Sequence, residues 1–392
     1  IVRRLDLEAA RKLPGVLGAW GPADLAAAGL KPLKSPFAAK NRDDTPWHHA
    51  DRPALATHVR YAGEPIAFVV AETIAQARDA AEAVETEIDP LPAVTSPREA
   101  AAPGAPQLHE VAPGNILLDF HFGDSAKVAE AFAKAAHVTR LTPVSNRIVV
   151  NAMEPRGAIG AFDPATGRYR LTLGCQGVWG LRANLAPVMG VAPDKLRVLT
   201  HNVGGSFGMK SQVFPEYPCV LFAAKLLGRP VKWTDDRSGS FLSDNHGRDH
   251  EMTGELAFDA EGRILALRLT GYGNAGAYPV APLPYSVNAV KNVLGVYRTP
   301  LLEVNSKGVY TNTQPVGPYR GAGRPEGNYY MERLMDTAAA EMGIDRLELR
   351  RRNYIAPEAM PYQAASGLAY DSGEFATVLD KALAASDWSG YG

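Results

Sequence analysis

The feature that most constrains the architecture of this chain is a stretch without apolar periodicity, residues 96–115. Its sequence, SPREAAAPGAPQLHEVAPGN, is dense in proline, glycine and alanine. Such composition is typical of a connection between domains rather than of a helix or strand. The whole chain has 392 residues, enough for more than one core. We therefore predict two domains, residues 1–100 and 121–392, joined by a linker at residues 101–120.

The first of these domains reads as a small α/β unit. Residues 3–12 resemble a short helix that ends before a Pro-Gly pair. Residues 58–71 are rich in β-branched and aromatic side chains and predict two strands around a Gly-Glu-Pro turn. Thr73 is placed to cap a helix over residues 74–85, and residues 88–94 predict a returning strand.

The second domain mixes both kinds of element and predicts an α+β fold. Alternation across a short Asp-Ala-Glu-Gly turn favours a hairpin, and Asp345 is placed to cap a charged helix. Strands are predicted over residues 137–142, 157–162, 169–173, 196–200, 252–258 and 264–271, and helices over residues 125–136, 179–189, 217–227, 328–342 and 345–353.

Charge and composition exclude some classes of partner. The net charge is −1, so no basic excess exists to attract nucleic acid or an anionic membrane surface. No apolar run of about eighteen residues occurs, so we predict no membrane span. Cys175 and Cys219 are the only cysteines, too few for a disulfide framework or an iron–sulfur cluster, and we expect both to be buried. A redox enzyme of this composition would pass its electrons to another chain.

A glycine-rich loop follows the strand predicted at residues 196–200. It reads HNVGGSFGMK, residues 201–210, and three glycines in five residues let backbone amides approach an anion closely. Met209 separates Gly208 from Lys210, so this is not a nucleotide-binding P-loop. From the residues alone, an anion site and a tight turn with a surface lysine are equally acceptable.

A second loop, TNTQPVGPYRGAGRPEG at residues 311–327, runs into a predicted helix. Arg320 and Arg324 among glycines and prolines at a helix start favour an oxyanion or phosphate site. The alternative is a Pro/Gly connection with solvated arginines.

Two shorter segments carry polar residues of interest. In NAMEPR, Glu154 lies two residues before Arg156, and an ordinary ion pair is the favoured interpretation. In GCQGVW, Gln176 lies between glycines after a predicted strand, although a single glutamine is usually a surface residue.

Taken in order, these segments resemble the molybdenum-binding large subunits of the xanthine dehydrogenase and aldehyde oxidase family. The motifs that carry the resemblance are MEPR, the glutamine loop, GGSFGMK, LGRPVKWTDDR, NAGAY, TNTQPVGPYRGAGRPEG and LRRRN. The pattern is most similar to the bacterial, carbon monoxide dehydrogenase-like branch. RYAGEPIAFVVAET resembles the α/β hammerhead domain of the family, and the likeness extends to about residue 375.

The resemblance implies a molybdenum ion held by a pterin dithiolene, with no direct metal ligand from the protein. Gln176 would donate to an oxo ligand, and the backbone of the glycine loop would lie against the metal. The implied cofactor is molybdopterin, in bacterial members commonly as the cytosine dinucleotide. The cofactor-binding residues implied are Gln176, Gly205, Ser206, Phe207, Gly208, Arg320 and Gly321.

The resemblance also implies a reaction, the hydroxylation of a substrate carbon with water-derived oxygen. The family's catalytic glutamate lies in a Gly-x-Gly-Glu motif that does not occur in residues 1–392. No catalytic base is therefore assigned, and Glu154, Glu216 and Glu326 are not given that role. We expect the chain to be incomplete at both ends, with its second molybdopterin-binding domain on another chain or in a missing C-terminal half.

Further partners and a compartment follow from the resemblance. Electrons would pass to an iron–sulfur subunit and an FAD subunit, and the cytoplasm is the expected compartment, with the periplasm left open. The alternative is a non-catalytic scaffold or assembly fragment of such a complex.

Pocket positions narrow the expected substrate. Ser211 and Ala322 stand where purine-oxidising members have a glutamate and a phenylalanine, and Gly321 stands where carbon monoxide dehydrogenases have a copper-binding cysteine. An aldehyde or an N-heteroaromatic compound remains. Three aromatic residues could line the pocket, although a core or surface position is the favoured interpretation of each: Trp179, Tyr278 and Tyr285.

Overall fold

The computed structural model describes residues 1–35, 37–280 and 288–390. The first part of the chain, up to Ile88, contains two small antiparallel sheets. Val2–Asp6 pairs with Glu85–Ile88, and Val16–Trp20 pairs with Phe68–Ala71. Three helices accompany these strands: Glu8–Arg11, Pro22–Ala27 and Ile74–Glu82.

The helix predicted over residues 3–12 is wrong in its first half. Val2–Asp6 is a strand because it finds a partner in Glu85–Ile88, far along the chain, and only Glu8–Arg11 is helical. Long-range pairing here overrides a local helical pattern.

Two strand predictions in the same part also need correction. Residues 58–71 contain one strand, Phe68–Ala71, because the Glu64 side chain accepts from the Arg60 backbone N–H at 2.6 Å and folds the preceding residues into a turn. The strand predicted at residues 88–94 ends at Ile88, since the prolines that follow cannot donate to a ladder. The cap prediction is confirmed, because the Thr73 hydroxyl accepts from the Gln76 backbone N–H.

The proline- and glycine-rich residues 96–115 pack against the larger unit, which is formed by the elements from Ile116 onward. Pro97–Ala100 forms a short helix, and Ala112 is fully buried. The Asn115 side chain is also buried, and its amide donates to the carbonyl of Ala100 at 3.0 Å and that of Pro106 at 2.8 Å. The linker boundaries at residues 101–120 stay a prediction.

The larger unit contains a six-stranded sheet and a four-stranded sheet, and the predicted α+β class is confirmed. The predicted hairpin is confirmed as the central antiparallel pair of the six-stranded sheet. In spatial order, that sheet consists of Ile116–Gly123, Leu301–Tyr310, Ile264–Gly276, His250–Phe258 and His137–Leu141, with Val144–Ser145 beside His250–Phe258.

The four-stranded sheet determines where the loops of interest emerge. Its order is Leu196–Leu199, Arg168–Leu173, Gly157–Asp163 and Val231–Thr234. The first two strands are parallel neighbours, and the third is antiparallel to the second. The carboxyl ends of the first two strands and the start of the third therefore lie at one end of the sheet.

Helices cover both sheets and build two cores. Arg324–Met342 packs on the six-stranded sheet, while Val178–Val188 and Glu216–Leu227 pack on the four-stranded sheet. The Asp345 cap is confirmed, with its carboxylate accepting from the backbone N–H groups of Leu347 and Glu348. The remaining helices of this unit are Ser125–Lys134, Arg237–Ser243, Asn288–Asn292, Arg346–Asn353 and Phe375–Ala385, and a short hairpin pairs Tyr362–Gln363 with Ala369–Tyr370.

Candidate functional site

Three of the segments singled out from the sequence meet at one end of the four-stranded sheet. The glutamine loop follows Arg168–Leu173, the glycine loop follows Leu196–Leu199, and the MEPR segment precedes Gly157–Asp163. Loops that leave the carboxyl ends of adjacent parallel strands lie side by side, which is a common way to build a binding site.

The glycine loop presents a row of backbone donors. Gly205 has a φ of 103° and Phe207 a φ of 52°, on either side of Ser206. Within the described part of the chain, the N–H groups of these three residues donate to no protein acceptor. Successive backbone amides in such alternating conformations form a concave anion-binding surface.

Gln176 points its amide oxygen into this loop. The oxygen accepts from the Ser206 hydroxyl at 2.6 Å and from the Gly208 backbone N–H at 2.8 Å. These donors identify the other amide atom as the nitrogen, whose hydrogens bond no described protein acceptor. The exposed Gln176 amide therefore offers N–H groups on the same side as the loop.

Lys210 is not the surface lysine that the sequence left open. Its side chain is completely buried, and its ammonium lies 2.9 Å from a carboxylate oxygen of Glu154. The same oxygen accepts from the Gly204 backbone N–H at 2.8 Å. Partial burial alone would raise the pKa of Glu154, but the hydrogen bonds from Lys210 and Gly204 outweigh it and lower the pKa.

Glu154 and Arg156 each form an ion pair, as the sequence favours, but with other partners and not with each other. Arg156 is fully buried and faces the other way, with its guanidinium 2.5 Å from Asp244, 2.8 Å from Glu216 and 3.5 Å from Asp235. Burial raises the pKa of Asp244 and of Asp235, although Arg156 opposes the shift. Arg156 thus connects Glu216, at the start of a helix, with Asp235, which follows a strand, and with Asp244, which follows the next helix.

The arginine loop approaches the glycine loop directly. The Arg320 backbone N–H donates to the Phe207 carbonyl at 2.9 Å, and the Arg320 guanidinium lies 5.8 Å from the Phe207 ring centroid. A methyl group added at Gly208 would lie 2.4 Å from the Pro318 carbonyl oxygen, so the two backbones touch. Gly321 is exposed with a φ of 94°.

Arg248 is a bracing residue that the sequence did not single out. Its guanidinium donates to the carbonyls of Tyr319 and Arg320 at 2.6 and 2.7 Å, and lies 3.4 Å from the Glu326 carboxylate. Glu326 in turn accepts from the Gly323 backbone N–H at 3.0 Å. Sequence offers little signal for this role, because Arg248 lies about 70 residues before the loop that it holds.

Backbone strain is concentrated around these loops. Of eight non-glycine residues with positive φ in the described chain, five lie in the loops or in the pair that includes Arg248. Such conformations persist where surrounding contacts fix them, and they gather at binding sites. The five are Asn151, Phe207, Arg248, Asp249 and Ala322.

The predicted pocket residues take different positions. Ser211 is partly buried, and its hydroxyl donates to the Gly208 carbonyl at 2.6 Å and accepts from the Gln212 amide. Ala322 is partly buried and its N–H donates to the Tyr319 carbonyl. Of the aromatic candidates, Trp179 is 72% exposed, Tyr278 is buried in the core, and Tyr285 lies outside the described residues.

The three glutamates to which the sequence assigned no base role each have a cationic partner: Glu154 pairs with Lys210, Glu216 with Arg156, and Glu326 with Arg248. Both cysteines are buried, as predicted. In the described chain, no three histidine, cysteine or acidic side chains converge on a point that could hold a metal ion. Nor does any described helix combine the length and hydrophobicity that a membrane crossing requires.

Two family models match the chain. Residues 1–92 match the α/β hammerhead domain of aldehyde oxidase and xanthine dehydrogenase, and residues 108–354 match a molybdopterin cofactor-binding domain. Among curated proteins, the carbon monoxide dehydrogenase large chain of Hydrogenophaga pseudoflava is 32% identical over 100% of this chain and 49% of its own length. The nicotine 6-hydroxylase large subunit of Paenarthrobacter nicotinovorans is 32% identical over 96% of this chain and 46% of its own.

Solved structures agree with these matches. Carbon monoxide dehydrogenase from Oligotropha carboxidovorans superposes with a TM-score of 0.90 at 29% identity, over 100% of this chain and 49% of that one. Quinoline 2-oxidoreductase from Pseudomonas putida 86 superposes with a TM-score of 0.89 at 30% identity, with the same coverage. The chain spans about half the length of the relatives it matches.

Proposed function

Because this chain belongs to the xanthine dehydrogenase and aldehyde oxidase family, we propose that it forms one half of the molybdenum-cofactor site of an oxidoreductase. The enzyme would hydroxylate an aldehyde or an N-heteroaromatic substrate. The observation that carries the proposal is the orientation of Gln176, whose amide oxygen is bonded to the glycine loop while its N–H groups face outward.

The residues present fit a molybdopterin cofactor. The free N–H groups of Gly205, Ser206 and Phe207 suit oxo ligands or phosphate oxygens, and the exposed Arg320 adds a positive charge. The closeness of Gly208 to the Pro318 carbonyl leaves no room for a side chain between the loops. We propose the cytosine dinucleotide form of the cofactor, because its extra phosphate would use more such donors.

The chemistry that this cofactor supplies is transfer of a water-derived oxygen to a substrate carbon, with two electrons removed from the substrate. The residues of this chain would orient the cofactor and contribute fixed donors around it. The general base would come from outside residues 1–392, since Glu154, Glu216 and Glu326 each form an ion pair.

The rest of the site would be supplied by a further molybdopterin-binding half, on the same polypeptide or on another. Large apolar side chains around the loops support this proposal, because Met153 is 90% exposed and Trp179 is 72% exposed. Iron–sulfur and FAD subunits would receive the electrons, and we propose the cytoplasm as the compartment.

For the substrate, we favour an N-heteroaromatic compound over carbon monoxide and xanthine. The similarity to nicotine 6-hydroxylase and quinoline 2-oxidoreductase supports this choice. Gly321 lacks the sulfur that would hold copper, and Ser211 and Ala322 lack the carboxylate and ring expected of a purine site.

The test is analysis of the complete complex purified from its native host. We expect about one molybdenum ion per large subunit, together with a cytosine nucleotide released by acid. Gln176→Ala should lower turnover by about a hundredfold while the protein stays folded, as removal of one fixed donor does in other sites. Gln363→Ala, at an exposed glutamine in a distant hairpin, is the matched control.

Absence of molybdenum and of a pterin nucleotide would refute the cofactor proposal. Unchanged turnover in Gln176→Ala would instead support the scaffold alternative.

A further inference from the structure

The base of the glycine loop is closed by an ion pair that the assigned functions do not use. Glu154 accepts from the Gly204 N–H at 2.8 Å and from the Lys210 ammonium at 2.9 Å. The Glu154 backbone N–H also donates to the Gly204 carbonyl at 3.0 Å. One carboxylate therefore holds the loop at two points, Gly204 and the last residue, Lys210.

Burial of the Lys210 ammonium has a cost in free energy. The Lys210 side chain has no exposed surface, and Glu154 supplies its one ammonium hydrogen bond in the described structure. Taking an ammonium out of water costs several kcal/mol before its partner compensates, and an apolar side chain of similar length would fill the space more cheaply. We therefore expect the ion pair to fix the geometry of the loop rather than to stabilise the fold.

A chain of hydrogen bonds leads from Lys210 to the Gln176 amide. The Lys210 backbone N–H donates to the Ser206 hydroxyl at 3.1 Å, and that hydroxyl donates to the Gln176 amide oxygen at 2.6 Å. The Lys210 carbonyl accepts from the Gln176 backbone N–H at 3.1 Å. The position of Lys210 thus fixes both the backbone and the side chain of Gln176.

We propose that Glu154 and Lys210 are positioning residues that hold the glycine loop and, through Ser206, turn the Gln176 N–H groups toward the cofactor before it binds. This inference rests on the proposed function for the identity of the ligand. The ordering of the loop can be measured without any ligand.

The experiment compares wild type, Lys210→Met, Glu154→Gln and Ser206→Ala in the full-length complex. One preparation comes from a host that cannot make molybdopterin, and the other is loaded with limiting cofactor. In the cofactor-free preparation, we expect Lys210→Met to accelerate amide hydrogen exchange at Gly204 and Gly208 by at least tenfold.

In the loaded preparation, Lys210→Met should contain at least fivefold less molybdenum, and its Mo(V) electron paramagnetic resonance spectrum should differ from that of wild type. Ser206→Ala should accelerate exchange at Gly208 and alter the spectrum, while exchange at Gly204 stays as in wild type because the ion pair remains. Glu154→Gln keeps a neutral acceptor for Gly204 and should fall between wild type and Lys210→Met. It also replaces Lys210→Met if that variant does not fold.

The matched control is Glu72→Gln. It breaks an exposed ion pair far from the loops, in which Arg229 donates two hydrogen bonds of 2.9 Å to Glu72. This variant should behave as wild type. Wild-type exchange, spectrum and molybdenum content in Lys210→Met would overturn the positioning role while leaving the proposed function intact. A wild-type complex without molybdenum would overturn the proposed function, and amide exchange would still decide whether the pair orders the loop.

Discussion

The Arg320 backbone N–H donates to the Phe207 carbonyl at 2.9 Å, which joins loops from two different sheets. The Arg320 guanidinium also lies 5.8 Å from the Phe207 ring centroid. The glycine loop comes from the four-stranded sheet and the arginine loop from the six-stranded sheet. Their contact brings loops from the two sheets together in one candidate site.

Replacement of Arg320 should remove the charge of its side chain while keeping its backbone contact with Phe207. In the complete complex, we expect Arg320→Ala to lower kcat/KM by about a hundredfold, because a fixed charge beside the site is lost. The backbone contact with Phe207 should remain, so the protein should stay folded. Arg320→Lys should recover only part of the activity, since lysine lacks the planar guanidinium. Steady-state kinetics and thermal unfolding of each variant provide the measurement.

The control for this prediction is Arg324→Ala, at an exposed arginine whose hydrogen bond is to the Gly321 carbonyl. Its activity should stay within about threefold of wild type. Equal losses in the two variants would contradict a specific role for Arg320.

A methyl group at Gly208 should break the contact between the loops. Gly208 has a φ of 104°, and a Cβ there would lie 2.4 Å from the Pro318 carbonyl oxygen. We expect Gly208→Ala to destabilise the protein by about 3 kcal/mol, from strain and displaced backbone. Urea unfolding of purified variants measures the loss.

Gly167→Ala is the matched control, because Gly167 also has a positive φ of 64° but no atom within 4 Å of the added Cβ. It should cost only about 1 kcal/mol, the conformational part of the penalty. Similar losses in both variants would show that conformation, and not contact with Pro318, decides the outcome.

Much of the fold follows from local patterns in the sequence. The hairpin across residues 259–262 and the helices capped by Thr73 and Asp345 were predictable, because alternation and capping are local signals. The strand Val2–Asp6 was not, because it depends on pairing with Glu85–Ile88 more than 75 residues away.

The candidate site likewise has features that could be predicted from the sequence and features that could not. The glycine and arginine loops are visible in the sequence from glycine spacing and charge, and motif order relates them to a known family. The burial of Lys210 and the separate partners of Glu154 and Arg156 were not predictable, because they depend on how three strand ends meet. The brace from Arg248 likewise arises from packing between distant segments.

Removal of Arg156 should be among the most destabilising single changes in the described core. Its guanidinium is fully buried among Asp244, Glu216 and Asp235, and replacement leaves those carboxylates without their cation. We expect Arg156→Met to cost about 3–5 kcal/mol in the free energy of unfolding. Urea unfolding at neutral pH tests this expectation.

Arg229→Met supplies a matched comparison, because Arg229 forms an exposed pair with Glu72. Exposed pairs contribute at most about 1 kcal/mol. A small loss in Arg156→Met would mean that the surrounding carboxylates take up protons without penalty.

Acid should weaken the attachment of the arginine loop through His246. Burial, and secondarily the Arg147 charge, lowers the pKa of His246 to about 4. The neutral ring fits its surroundings, since Nε2 lies 3.2 Å from the Phe241 carbonyl and Nδ1 lies 3.3 Å from the Arg147 guanidinium. The His246 backbone holds the arginine loop, because its N–H donates to the Pro315 carbonyl and its carbonyl accepts from the Gly317 N–H.

The direction of the pH effect follows from this lowered pKa. An unfolded histidine has a pKa of about 6.5, so the unfolded chain takes up a proton as the pH falls below 6.5 while folded His246 stays neutral until about pH 4. The stability contribution is therefore complete above pH 6.5 and is lost progressively towards pH 4, by up to about 3 kcal/mol. His246→Gln keeps one donor and one acceptor but cannot titrate, so its urea midpoint should fall less between pH 7 and pH 4.5. Residual acid sensitivity is expected because burial also lowers the pKa of His109 to about 4. An identical fall in wild type and His246→Gln would show that His246 does not couple acid to the loop.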